Sequence, residues 1–214
     1  MLNRRHLRIK VLQALYSFFQ TEGDNFGNTQ KETLTGIERI YDLYVYLLLS
    51  FSELKTISER RMDENKKKIR PSDEELNPNL KFVSSSIIDS LESNINLRAE
   101  SENRKVNWVG DEHQEMFRKM SLVIKESETF DLYMNNGESG FEEDKAFMIE
   151  LFKTEIANSQ LLYDFFEERN IHWIDDIDLA CTMVVKTIKA FEEGEDHSIL
   201  NLYKDKEDEL SFVT

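Results

Sequence analysis

The chain has 214 residues, 40% of them apolar, and 42 acidic side chains against 27 basic ones give it a formal net charge of -15. That is enough length and apolar content for one domain with a real core or two small ones, which excludes disorder throughout. Seven Gly and two Pro are too few for the frequent turns of a sandwich or barrel, and Cys181, the only cysteine, excludes an intramolecular disulfide and a cysteine-built zinc site.

The first predicted helix covers residues 4 to 20, where Leu7, Val11, Leu15 and Phe18 form one apolar stripe with Ala14 beside it. His6, Lys10, Gln13 and Ser17 fall opposite. With Asn3 as N-cap, Arg4, Arg5 and Arg8 occupy the first turn and a half. Cations there oppose the helix macrodipole and cost a few tenths of a kcal/mol each, roughly. A basic start running into apolar residues also outlines a signal peptide, but Gln13 and Ser17 interrupt it and no small-residue cleavage site follows. An Arg-rich, acid-poor transit peptide is the alternative targeting reading.

GDNFGNTQ (23 to 30) reads as a loop, followed by a long helix over 33 to 62 with Ile37, Ile40, Tyr41, Tyr44, Leu47, Leu48, Phe51, Leu54 and Ile57 recurring every three or four residues. After the basic run KKKIR (66 to 70), Pro71 and Pro78 mark a turn-rich connection. Amphipathic segments are predicted over 84 to 98 (Ile87, Ile88, Leu91, Ile95) and 111 to 125 (Met116, Phe117, Met120, Val123, Ile124), with a loop at 134 to 140. Helical period returns over 142 to 169, NIHWIDDID turns the chain, and a last apolar helix runs over 179 to 191. KEDELSF (206 to 212) echoes FEEDKAF (141 to 147), as though another helix begins near the end. From position 126 onward, 23 acidic residues face 7 basic ones, so a basic head precedes an acidic second half. No apolar run approaches the ~18 residues of a membrane span, and the expectation is a cytoplasmic, all-α protein.

Catalytic patterns are missing from the sequence. The four histidines are scattered, and no metalloprotease, nucleophile-elbow or phosphate-loop motif occurs. Asp175, Asp176 and Asp178 beside His172 suit either a hard cation or the capping and first turn of the next helix, with capping favoured. Tyr41, Tyr44 and Tyr46 are capable of stacking on bases, but Tyr41 and Tyr44 lie on the core stripe. Trp108 and Trp173 read as core or interface anchors. KKKIR reads as a solvated helix end, or else an extension of a phosphate-binding surface. The opening stretch is the one concentrated feature: Arg4, Arg5, His6, Arg8 and Lys10 gather positive potential on an acidic protein, which suits RNA phosphates and unpaired bases. The competing reading pairs those cations with the chain's own acidic half.

RRHLRIKVLQALYSFFQ resembles the first helix of the NusB family of bacterial transcription antitermination factors, in which an arginine-rich start leads into a Q-A-L-Y motif, here Gln13 to Tyr16. LLYDFFEERNIHW, the Asp-rich turn and TMVVKTIKAF are similar to a helical hairpin in the second half of that family. YDLYVYLLL (41 to 49) and LNPNLKFV (76 to 83) resemble the insertion of its longer bacterial members. The resemblance implies an all-α helical bundle of NusB-like type: a basic first helix (1 to 21), a large helical insertion (22 to 140) and a helical hairpin followed by an incomplete C-terminal unit (141 to 214).

It further implies a non-enzymatic protein without cofactor or metal that binds boxA-type single-stranded nascent RNA together with the ribosomal protein NusE, within the transcription elongation complex and away from membranes. The RNA-contacting motif then falls on Arg4, Arg5 and Arg8, with His6 and Lys10 as neighbours and Tyr16 as a structural residue. IDDID stands where the family carries basic residues, and the family's closing F-V-N-G-type segment has no counterpart. On that reading the chain is a family member cut short, with part of the NusE surface missing. The alternative is a helical protein-interaction adaptor without intrinsic RNA affinity.

Overall fold

A computed structural model of the protein describes residues 4–20, 26–195 and 197–203. The described residues are all-α, with ten helices and no strand: α1 (Arg4–Gln20), α2 (Phe26–Lys66), α3 (Asp73–Leu76), α4 (Ser86–Glu92), α5 (Ile95–Arg104), α6 (Asp111–Glu126), α7 (Glu128–Asn135), α8 (Phe141–Leu151), α9 (Gln160–Arg169) and α10 (Ile177–Lys189). A π turn (Phe152–Ile156) follows α8, and a 3-10 turn (Ile171–Asp176) precedes α10. Asn3 and the KEDELSF segment lie outside the described residues.

The 41 residues of α2 make a rod about 60 Å long at 1.5 Å per residue. Isolated helices draw little stability from propensity, so a helix this long is held by what it buries. Its apolar positions supply Ile37, Leu43, Tyr44, Leu47, Leu48, Phe51 and Leu54 to the core, and α1, α4, α6 and α10 pack along it. The buried cluster runs without a break from Leu7 through the 37–57 stretch to Tyr203, so the first helix, the middle and the closing hairpin share one core. Burial of a large apolar side chain contributes about 1.5–3 kcal/mol, which makes α2 the largest single source of stability in the fold.

Polar groups fix the register of the packed helices. The Tyr44 hydroxyl lies 2.6 Å from Thr187 Oγ1 on α10 and accepts the Leu200 N–H at 3.1 Å. Trp108 donates its indole N–H to the Tyr46 carbonyl at 3.0 Å. Arg104 on α5 forks onto Glu38 and Asp42 of α2 and Glu100 of its own helix. The Ser85 side chain makes no capping bond for α4, and Asp144 of α8 supplies it: one carboxylate oxygen accepts the Ser86 N–H (2.7 Å) and hydroxyl (2.8 Å), while the other accepts the Tyr133 hydroxyl (2.6 Å).

Several expected boundaries move, each for a local reason. The stretch expected as a loop up to residue 30 is helical from Phe26, whose ring meets Phe18 edge to face at 5.9 Å and anchors the start of α2 on α1. The segment expected over 84 to 98 breaks at Ser93 and Asn94. The Asn94 side chain accepts the Leu97 N–H at 2.9 Å and starts α5, which turns Ile95 outward at 81% exposure instead of into the core. Val123, expected on the apolar stripe of α6, is also exposed.

The helix α7, which periodicity did not single out, starts where Ser127 Oγ accepts the Phe130 N–H. The helix expected over 142 to 169 is interrupted by the π turn. There Ala157 bonds back to Phe152 at 2.8 Å and the Asn158 amide donates to the Lys153 and Thr154 carbonyls, competing with the helical ladder. The last helix begins at Ile177, two residues before the expected start, and a four-residue helix with a Ser72–Glu75 capping box sits inside the Pro71–Pro78 connection.

Candidate nucleic-acid interface

Helix α1 reaches the core through Leu7, fully buried, with Val11, Ala14 and Phe18 partly buried beside it. This much of the predicted stripe packs on α2. Leu15, assigned to the same stripe, is 36% exposed. The opposite face is not open to solvent as a whole: His6 and Lys10 are half-buried, and with Gln13 they line a cleft against the 3-10 turn and the start of α10. Lys10 Nζ donates to Asp176 Oδ2 at 2.6 Å, so this cation is committed to the fold. Its partner stands at the N-cap position of α10 without making the side-chain capping hydrogen bond expected from sequence, while Asp178 falls in the first turn of α10 as expected. Burial pushes the Asp176 carboxyl above its ordinary range even though the Lys10 hydrogen bond opposes the shift.

His6 is held below the usual histidine pKa, first by burial and then by the charges of Arg5 and the amino terminus. Near neutral pH it therefore adds a neutral imidazole, not a further cation. Arg4, Arg5 and Arg8 are exposed, and Arg5 and Arg8 form no ion pair with any described residue. Of the five basic candidates, then, the arginines face outward on the first two turns, while His6 and Lys10 turn towards the body.

The outward face of α1 was not foreseen. Ile9, Leu12, Tyr16 and Phe19 follow one another at spacings of three or four and are exposed, Tyr16 at 68% and Phe19 at 76%, with Phe26 of α2 exposed nearby. Tyr16, read from sequence as structural, points outward. The sequence held a signal for this: Leu7, Ile9, Val11, Leu12, Leu15, Tyr16, Phe18 and Phe19 are apolar nearly all round the helix, more than one packing partner can cover. Arg5 and Arg8 continue this face towards the N-terminus, so cations lead into exposed aromatic rings along one side of one helix.

No known protein-family model matches the chain, and searches of curated proteins and of solved structures found no match.

The other candidates separate from this face. Tyr41, Tyr44 and Tyr46 are buried and offer no stacking surface. Trp108 and Trp173 are buried anchors within an aromatic cluster around Tyr46, Phe165 and Phe166. The KKKIR run ends α2, with Ile69 fully exposed and Lys68 paired to Glu75, some 45 Å along the helix from the turns that meet α1. It does not extend the α1 surface. No group of three potential metal ligands forms among the described residues, Asp176 is taken by Lys10, and the His172 side chain falls outside the described set. No described helix is long and apolar enough to cross a membrane.

Proposed function

We propose that this protein is an RNA-binding antitermination factor of the NusB kind, engaging boxA-type single-stranded RNA together with a NusE-type ribosomal protein. The observation that carries the reading is the pair Arg5 and Arg8: two exposed guanidinium groups, without an ion pair among the described residues, at the positive end of a helix on a chain of net charge -15. Such an end attracts phosphate while the rest of the surface repels it. Tyr16 and Phe19, farther along the same face, offer rings on which unpaired bases stack, and guanidinium planes stack likewise. The acidic second half suits a basic ribosomal partner. The role is binding, with no chemistry assigned to the chain.

A second reading is favoured by a specific observation, the exposed row Ile9, Leu12, Tyr16 and Phe19, which is also what a helix presents when it docks against another protein. In that reading the chain is a helical adaptor without RNA affinity of its own.

Fluorescence anisotropy of a labelled boxA-like RNA against a scrambled one, at two salt concentrations and with or without the NusE-type partner, separates them. RNA binding predicts sequence-selective affinity that falls with salt by a log-log slope of roughly 0.7 per phosphate contact and is strengthened by the partner. Failure of a folded sample to bind RNA, with retained binding to the ribosomal protein, establishes the adaptor.

A further inference from the structure

A pocket of about 250 Å³ opens near the C-terminal end of α2, between its last turns, the Pro71–Pro78 connection and the joint of α6 and α7. It lies about 30 Å along α2 from the turns that meet α1 and has no part in the α1 face. We infer that it binds a small monocarboxylate with a short apolar tail, the carboxylate at Lys125 and the tail against the surrounding side chains.

The first observation is a cation without a counter-ion. Among the described residues the half-buried lysines are Lys10, Lys55, Lys81, Lys125 and Lys145. Lys10, Lys55 and Lys81 each hold a carboxylate oxygen at 2.6–2.7 Å, and Lys145 has Glu142 at 3.6 Å. Lys125 alone of these has no ion pair or hydrogen bond among the described residues. Burial, and after it the charge of Arg61, holds its ammonium below the usual lysine pKa, and no carboxylate acts in the opposite direction. Glu74 and Glu75 reach the same rim, but Glu75 is engaged by Lys68 and the Ser72 N–H, and neither raises the Lys125 pKa. Shielded lysines are ordinarily paired, so this one favours an anionic ligand.

The second is a hydroxyl in the wall. Ser58 is 2% exposed, and its side chain makes no hydrogen bond among the described residues. A buried helical serine ordinarily returns its hydroxyl to a carbonyl of the preceding turn, as Ser50 does to Leu47 at 2.6 Å. The Ser58 oxygen also keeps accessible surface, unlike the sealed hydroxyl of Ser85, so a ligand in the pocket can reach it. One ammonium and one hydroxyl suit the two oxygens of a carboxylate. A phosphate dianion calls for more donors and meets the Glu74 carboxylate at the rim.

The third is the rest of the lining, which is apolar. Met62, Pro78, Phe82, Phe130 and Met134 supply it, and the Phe82 and Phe130 rings meet edge to face at 5.5 Å. Methionine side chains adjust to a ligand's shape, and both methionines here are only partly buried against the core. Apolar walls with few, separately placed polar groups are the ordinary make-up of a small-molecule site, and the volume lies below that of drug-sized ligands. An apolar cavity of roughly 150 Å³ accepts a six-carbon ring, so this pocket suits a chain of about six carbons ending in a carboxylate.

The test is an NMR titration of the full chain carrying 13C-methyl methionine, with hexanoate, with hexanol as the same tail without charge, and with acetate as the same charge without a tail. Hexanoate is expected to shift the Met62 and Met134 methyls saturably while those of the core residues Met120, Met148 and Met183 stay in place, to bind at least fivefold more tightly than hexanol, and to raise the melting temperature. Acetate is expected to leave the methyls unmoved. Lys125→Met keeps the side-chain length and removes a shielded charge, so it is expected to melt no lower than the parent and to bind hexanoate no better than hexanol. Ser58→Ala is expected to weaken hexanoate several-fold and leave hexanol unchanged. A folded parent whose Met62 and Met134 methyls do not respond saturably to hexanoate overturns the site. So do shifts spread over all the methionines, which are adventitious binding, and a hexanoate affinity that is equal to that of hexanol or unchanged in Lys125→Met.

Discussion

The ammonium of Lys10 sits 2.6 Å from a carboxylate oxygen of Asp176, joining two side chains 166 positions apart in sequence. Both are largely shielded, at 15% and 9% side-chain exposure, so neither is well solvated if the other is removed. Lys10→Met or Asp176→Leu alone is expected to destabilise the protein by about 2–4 kcal/mol in urea unfolding, whereas the two together recover most of that loss. Equal and additive losses would mean the contact is not a coupled pair.

Alkaline pH acts through Tyr44. Burial pushes its phenol from 10.0 up to about 12, against the hydrogen bond it shares with Thr187 and the one it accepts from the Leu200 N–H. Between those values the unfolded chain has lost a proton that the folded chain keeps. The contribution is thus complete below pH 10 and is lost as the pH rises towards 12, amounting to roughly 1–3 kcal/mol. Tyr44→Phe is expected to cost about 1 kcal/mol at pH 7, where it leaves the Leu200 N–H without its acceptor, and to flatten the stability curve above pH 10.

Asp144 binds three donors and ties α8 to the start of α4 and to Tyr133. Asp144→Ala leaves the Ser86 N–H without an acceptor and the Tyr133 hydroxyl with only the Lys81 carbonyl at 3.4 Å, and an expected loss of about 2–4 kcal/mol follows from the charge-assisted bonds removed. Hydrogen exchange should show the deprotection concentrated in residues 85–92. Protection unchanged there would place the capping role elsewhere.

Arg5→Ala and Arg8→Ala probe the outward face of α1. Both side chains are exposed, so unfolding free energy is expected to move by less than about 0.5 kcal/mol. RNA affinity is expected to fall, and the log-log salt slope to drop by about 0.7 for each arginine that contacts a phosphate. Tyr16→Ser and Phe19→Ser, tested in the same titration, are expected to weaken binding with the slope unchanged, since stacking releases no counterions.

Helical class and the core of α2 were legible in the sequence because a 3.6-residue period in Ile37 to Ile57 has one solution: a buried stripe. Boundaries were less so. Asn94 starts a helix and Asn158 competes with the helical ladder through side-chain hydrogen bonds that periodicity does not register, and Phe26 extends α2 through a ring contact with Phe18 across a connection. At the candidate interface, the arginines were visible as charges. Which cations stay uncommitted was not, since the partner of Lys10 lies at the far end of the chain and only the fold brings Asp176 to it. The outward row of α1 was misread for a related reason: an apolar residue in sequence does not declare which side of a crowded helix finds a neighbour.

The Lys10–Asp176 contact also sets an order of events during synthesis. Ribosomes add about 5–20 residues per second, so the first helix exists for on the order of ten to thirty seconds before the carboxylate that secures it has been made. Throughout that interval an arginine-rich, largely apolar helix has neither its ion-pair partner nor α10 beside it, and it emerges next to the most concentrated RNA surface in a cell. Packing of α1 on α2 can precede the ion pair, but the clamp between α1 and the turn before α10 closes only late, and a variant that weakens the pair leaves α1 held by α2 alone.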